Sequence, residues 1–302
     1  MEPVRCGRRH GGHAAWADRH RRRRRADLIV VILGLLSALS WGAGDFGGGM
    51  AARRGPLLGI VIVTQFVGTG LALALAVGRA EPWPPPWEIG WAVTAGVFGG
   101  MGIATLYHGL ATGRMGVVAP ISGVLSAAIP VVLGMILQGL PGIGRLAGIG
   151  LALVAVVLVS RAGGQPGRRD VGLGLLAGVG FAVFNVAVSR FAAGQVFAPL
   201  SLVRGAEGVM FVLVVLLGRR PWRLARPVLP LVVAVGALDM GGNALYILAV
   251  QSGRLDVATI LSSLYPVTTV VLAFVLLHER LDRRHLAGVF LAIVAIVLIG
   301  AG

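Results

Sequence analysis

RHLAGVFLAIVAIVLIG (284–300) is almost unbroken apolar sequence, and GRLAGIGLALVAVVLVS (144–160) is nearly the same text 140 residues earlier. Leu146/Leu286, Ala147/Ala287, Gly148/Gly288, Ala152/Ala292 and Val154/Val294 fall in register. The same offset aligns ATGRMGVV (111–118) with QSGRLDVA (251–258). It also aligns GLLSALSWGAGDF (34–46) with GLLAGVGFAVFNV (174–186), which sets Asp45 opposite Asn185. Apolar helices resemble one another by chance. One common offset over three separated blocks does not arise that way, so the chain reads as an internal duplication.

The apolar content says where such a duplication lives. The 302 residues are 56% hydrophobic with 47 glycines, and the mean hydropathy is +0.86. A water-soluble domain of this length does not carry so much apolar sequence, so the expected class is an all-α polytopic membrane protein. Every one of the 27 basic residues is arginine, and the net charge is +15. Nine arginines precede Asp27 and most others stand between apolar runs. That distribution marks topology and contact with membrane lipid, and it argues against nucleic acid as a partner. A cleaved signal peptide at RRRRRADLIVVILGLLSALSWGAG is disfavoured because the same pattern recurs later in the chain. The lone Cys6 excludes an internal disulfide and a cysteine metal cluster, and the histidines show no metal-ligand spacing. No metal or cofactor is expected.

About 20 apolar residues cross the hydrocarbon core. Ten such runs are present: 28–49, 57–77, 89–111, 116–138, 143–161, 171–191, 198–217, 228–250, 257–277 and 285–301. The expected organisation is a basic tail (1–27), a first five-helix repeat (28–161), a linker (162–170) and a second five-helix repeat (171–302). Five is odd, so the second repeat enters the membrane in the opposite sense. Inverted repeats are typical of secondary transporters, with the site at their interface near the midplane. Small residues four apart, as in Gly44/Gly48, Gly96/Gly100, Gly144/Gly148 and Gly174/Gly178, suit close helix packing. EPWPPPWE (81–88) cannot be helical, and its Trp83 and Trp87 suit the headgroup level. Loop arginines divide evenly, thirteen on each side, and the dense cluster beside the first span places both termini in the cytoplasm.

Against this background each polar residue inside a span is informative. Asp239, Asn243 and Tyr246 stand at i, i+4 and i+7 on one helix face. A charge at the centre of a span costs about 2.5–3.5 kcal/mol, so Asp239 should face a protected or wet interior, as a proton-coupling or cation-binding group. Trp41 and Asp45 are also four apart; Asp45 either faces a shared cavity with Asn185 or leaves the membrane to pair with Arg53 or Arg54. Arg204 and Glu207, three apart, read as an internal salt bridge. Tyr107 and Tyr246 serve as interfacial anchors or as the lining of a vestibule, and His108 as a packing residue. In TILSSLYPVTTVV (259–271), Pro266 should kink the helix and free the Ser262 carbonyl, with Ser262 and Ser263 satisfying backbone groups nearby. Pro120 and Pro130 bracket SGVLSAAI as a similar device in the first repeat.

NALYILAVQSGRLDVATILSSLYPVTTVVLAFVLLHERL (243–281), with AGVFLAIVAIVLI after it, closely resembles the second repeat of EamA-type transporters of the drug/metabolite transporter superfamily. LYHGLATGRMGVVAPISGVLSAAIPVV (106–132) echoes it in the first. The resemblance covers essentially everything from residue 28 and implies two inverted five-helix repeats, cytoplasmic termini and a central cavity for a small metabolite. The family's Ser-x-x-x-Pro-Val pattern falls on Ser262, Pro266 and Val267; its Gly-Glu-Arg pattern falls on Glu279 and Arg280, with His278 in place of the glycine. The first repeat has QGLPG (138–142) at the matching loop.

The reading is a secondary-active carrier in the plasma membrane that exports small organic metabolites by alternating access, as a monomer or homodimer, with protons as the coupling ion. Efflux of lipophilic cationic drugs and a non-transporting membrane scaffold are the alternatives. No P-loop, HExxH or suitably placed GxSxG is present, so neither ATP-driven pumping nor intramembrane hydrolysis is expected.

Overall fold

The computed structural model describes residues 11–112, 115–138, 142–161, 167–252, 255–277 and 283–301. The HER stretch at 278–280 and most of QGLPG lie outside the described residues. The chain folds into helices α1 (Gly11–Ala52), α2 (Leu57–Gly78), α3 (Pro86–Thr112), α4 (Met115–Gln138) and α5 (Ile143–Arg161). The second half gives α6 (Arg168–Val188), α7 (Phe197–Gly218), α8 (Leu229–Ser252), α9 (Leu255–Ser262), α10 (Tyr265–Leu277) and α11 (Arg283–Ala301). Among the described residues, six segments are long and apolar enough to cross a membrane: Leu28–Ala52, Leu57–Gly78, Pro86–Thr112, Arg168–Val188, Phe197–Gly218 and Arg226–Ser252. Val117–Pro130, Tyr265–Leu277 and Leu286–Ala295 are shorter apolar stretches. This is a multi-pass membrane protein.

Helix packing follows the duplication. Contacts join α2 to α7 and α5 to α11, which are equivalents in the two halves. The pair α1–α8 is mirrored by α3–α6, and α2–α8 by α3–α7. α2 and α7 run antiparallel. On α2, Gly59 lies against Trp222 and Gly68 against Arg204, while Phe66 meets Gly208. Between halves, lipid tails give apolar side chains no reason to prefer each other, so close backbone approach and polar contacts hold the bundle. Side-chain size is sorted accordingly. Ala72, Ala92, Ala95, Ala177 and Ala182 are buried, while Leu71, Leu73, Leu75, Leu213 and Leu216 point outward.

Local chemistry explains the breaks. Pro84 and Pro85 stand in the linker between α2 and α3, but EPWPPPWE is not wholly non-helical as expected: Pro86 opens α3, because a proline is tolerated in the first turn, and Trp87 and Glu88 follow in the helix. Trp83 and Trp87 are exposed. Glu81 in this linker crosses to the N-terminus of α7, where its Oε2 accepts the N–H groups of Val196 (3.2 Å), Phe197 (2.7 Å) and Ala198 (2.9 Å). Those are orphan donors of a helix start, and a carboxylate there also meets the positive end of the helix dipole. Pro266 does more than kink its helix. The chain breaks between Ser262 and Tyr265, because residue 266 has no N–H for the Ser262 carbonyl. The Ser262 and Ser263 hydroxyls donate to the carbonyls of Ala258 and Thr259, both at 2.7 Å.

The first half departs from the expected symmetry. α4 stays helical through Pro120 and Pro130. Pro130 frees the Ser126 carbonyl, and the Asn185 amide donates to that oxygen at 3.3 Å. A donor from a neighbouring helix thus does what a break would otherwise do.

Candidate functional site

Where the halves meet, a cavity of about 560 Å³, counting its open mouth, lies among α1, α3, α4, α6, α7, α8, α9 and α10. Its wall mirrors the duplication. Trp41 and Phe181 occupy equivalent positions and both line it, as do Asp45 and Asn185. Gly99 and Ile103 on α3 correspond to Asp239 and Asn243 on α8, and all four face the same space. The backbone frame is thus repeated, while polarity is unequal: the second half supplies Asp239, Arg204 and Glu207, and the first supplies Asp45.

Arg204 organises the charges. Its Nη1 donates to Glu207 Oε2 (2.9 Å) and Gln65 Oε1 (2.8 Å) and forms an ion pair with Asp239 Oδ2 (2.7 Å). All four groups are buried. Asn243 Nδ2 donates to the Asp239 carbonyl (2.8 Å) and to its Oδ1 (3.4 Å), which fixes the carboxylate against its own helix. Glu207 packs so tightly against Gly99 that a Cβ there would stand 2.7 Å from Oε1. Three carboxylates line the cavity against one guanidinium, so with all of them ionised it carries two net negative charges.

Aromatic rings close the remaining sides. The Trp41 centroid is 5.5 Å from Tyr246 and 6.2 Å from Tyr265, and Phe181 is 6.3 Å from Tyr265. Their hydroxyls are held: Tyr246 with Thr259 at 3.1 Å, and Tyr265 with Ser122 at 2.8 Å.

Eight of the ten residues singled out from sequence line this space: Asp239, Asn243, Tyr246, Trp41, Asp45, Asn185, Ser262 and Ser263. Two do not. Tyr107 is fully buried behind the wall, its ring filling the gap that Gly48 leaves on α1. Neither an anchor nor a vestibule residue, it is a packing group. Pro266 packs against Gly123, so its part is to break the helix behind Ser262 and Ser263. The alternative of a wet Asp45 paired with Arg53 or Arg54 fails: α1 continues to Ala52 and Asp45 is 6% exposed. The Arg204–Glu207 bridge is present, but it belongs to the cavity wall. His108 meets Arg169 across 2.9 Å at the helix ends. Gln65, Tyr265 and Phe184 were not foreseen. Only the paired-repeat alignment could have raised Phe181, as the equivalent of Trp41.

A model of the EamA-like transporter family matches residues 28–161 and again 170–301. No curated protein matches the chain. Among solved structures, one described only as "Crystal structure of protein" superposes with a TM-score of 0.67 at 18% identity, over 89% of this chain and 95% of its own. At that identity it shows the fold alone.

Proposed function

Because the chain belongs to the EamA-like transporter family, we propose that it is a secondary-active carrier that exports small organic molecules through the cavity between its halves. The observation that carries this is the cavity's composition: it is walled by equivalent positions of the two halves and lined by aromatic and polar groups. A site at the interface of inverted repeats opens to alternate sides when the halves rock. In this reading α9 and α10 form one broken span, which gives ten crossings in two inverted groups of five. Both termini lie in the cytoplasm of a plasma-membrane protein, as the arginine tail favours. Trp41, Asp45, Asn185, Asp239, Asn243 and Tyr246 bind the cargo, with Ser262 and Ser263 at the broken span.

The net negative wall favours the cationic branch of the cargo readings, and exchange against protons supplies the energy for outward movement.

Metabolite profiling of medium and cytosol tests the reading, with matched cells holding wild type, Asp239→Asn or no added protein. The expected outcome is one compound enriched outside with wild type alone. Depletion of a compound from the medium would reverse the direction. No moved compound in any matched pair would end the carrier reading.

A further inference from the structure

The turn after α1 and the linker after α7 bring six arginines to one end of the bundle. The turn holds Arg53 and Arg54; the linker RRPWRLAR (219–226) holds Arg219, Arg220, Arg223 and Arg226. The two segments touch. Leu224 packs against Gly55 and Gly59, and the Trp222 carbonyl leaves no room for a Cβ on Gly59. All six arginines are exposed. Arg53 donates to the Leu110 carbonyl at 3.3 Å, and among the described residues no carboxylate pairs with the other five. The flanking sequence offers none: it has no acid between Asp45 and Glu81 or between Glu207 and Asp239. Three of those acids line the cavity, and Glu81 caps the far end of α7.

Membrane insertion does not ask for this cluster. The arginine tail stands at the start of α1 and Arg53 and Arg54 just past its end, so tail and cluster belong to opposite faces of the membrane. Positive charge directs topology on the cytoplasmic face, where the tail is placed above. Backbone geometry makes the same point at one residue. Arg219 ends α7 in the left-handed region, φ 46° and ψ 41°, a position that glycine fills without steric cost. An arginine there, against its backbone preference, points to a use for the side chain.

Beside the cluster the surface is apolar. Leu213, Leu216 and Leu217 in the last turns of α7 are exposed, as is Leu229 at the start of α8. Trp222 stands among the arginines with its ring exposed, as suits the headgroup level. A basic group bordering an apolar strip matches an amphiphile with an anionic head. Guanidinium binds phosphate through paired N–H groups, and acyl chains lie along leucine. We infer that this corner of α2, α7 and α8 is a binding site for an anionic phospholipid, with its phosphate on the linker arginines beside Trp222 and its chains along the end of α7. The site is separate from the cavity, and the inference goes beyond the transport reading without depending on any cargo.

The test uses the purified full chain in phosphatidylcholine nanodiscs holding a minor fraction of phosphatidylglycerol. Bromine on the acyl chains of one lipid at a time quenches nearby indoles, and Trp222→Phe isolates the Trp222 contribution. Brominated phosphatidylglycerol should half-quench Trp222 at a fraction at least about fivefold lower than brominated phosphatidylcholine does, since one basic residue near an anionic surface is worth roughly that factor. The preference should vanish when Arg219→Gln, Arg220→Gln and Arg223→Gln are combined, and should weaken in high salt. Equal quenching by the two lipids overturns the inference, as does a preference that survives the triple substitution. Loss of the preference to sn-glycerol 3-phosphate at matched ionic strength also overturns it, because the site would then be one for soluble phosphate. Thermal midpoints supply a readout independent of fluorescence. Phosphatidylglycerol should raise the midpoint of the wild type in neutral detergent. Arg219→Gly should raise the midpoint without lipid, by relieving the left-handed backbone, and should shrink the gain that phosphatidylglycerol brings. An undiminished gain in that variant overturns the inference.

Discussion

Arg204 answers to three partners through one nitrogen, and two of them are carboxylates. Removing the guanidinium strands Asp239 and Glu207 in the protein interior, and breaking a buried pair of this kind costs about 3–5 kcal/mol. Arg204→Leu should therefore lower the thermal midpoint of the purified protein by far more than Asp239→Asn does. The double substitution should recover part of the loss, since one stranded charge has gone with its partner. Strictly additive shifts would show that the residues do not act as a unit. Sequence revealed part of this cluster. Arg204 and Glu207 are three apart, so helical spacing alone puts them on one face. Gln65 lies 139 positions from Arg204, and no periodicity announces that contact. The same limit shaped the reading of Asp239. Its place on an inward face was legible, but the cation that neutralises it comes from another helix, and only packing brings them together.

At the scale of helices, the apolar runs and the common offset made α1 to α3 and α6 to α8 plain. The interfaces were less so, because glycine looks the same in sequence whether or not a neighbour presses on it. Gly96 and Gly70 make the contrast. A Cβ on Gly96 would stand 2.6 Å from the Val203 carbonyl oxygen and 2.9 Å from the Ala206 methyl, so α3 and α7 must part to admit it. A Cβ on Gly70 would meet no atom of another element within 4 Å. Alanine is favoured over glycine in a helix by about 1 kcal/mol when it meets no obstacle. Gly70→Ala should then be neutral or slightly stabilising and Gly96→Ala destabilising, read as opposite shifts in thermal midpoint. Equal shifts would mean that α3 and α7 yield without cost. The helix breaks were half legible for a related reason. Pro266 and Pro130 carry the same missing donor, yet only the first interrupts its helix, because Asn185 stands beside the carbonyl that Pro130 frees.

Across the whole molecule, one set of contacts forms a latch that composition gave no hint of. The segment between α6 and α7 is held from three other elements. Glu88 at the start of α3 accepts the Ala192 N–H at 3.1 Å, and Glu81 caps the first turn of α7. From the end of α8, Gln251 accepts from the Gly194 N–H (3.1 Å) and donates to the carbonyls of Ala192 (3.2 Å) and Gln195 (2.8 Å). Glu81 and Glu88 belong to the first half, and the latched segment to the second. Twelve residues of helix separate Asp239 from Gln251, about 18 Å of rise, so the latch stands well away from the charged cavity. If the halves rock about that cavity, these contacts must part for its contents to leave by this end. A covalent tie across them should stop the cycle. With Cys6 replaced by serine, Glu88→Cys and Ala192→Cys together, one in each half, should give a carrier that exports under reducing conditions, halts on oxidation or short bismaleimide treatment, and resumes when a disulfide is reduced. Full export by the cross-linked protein would place the moving parts elsewhere, because two segments joined within a few ångströms cannot be the gate that opens.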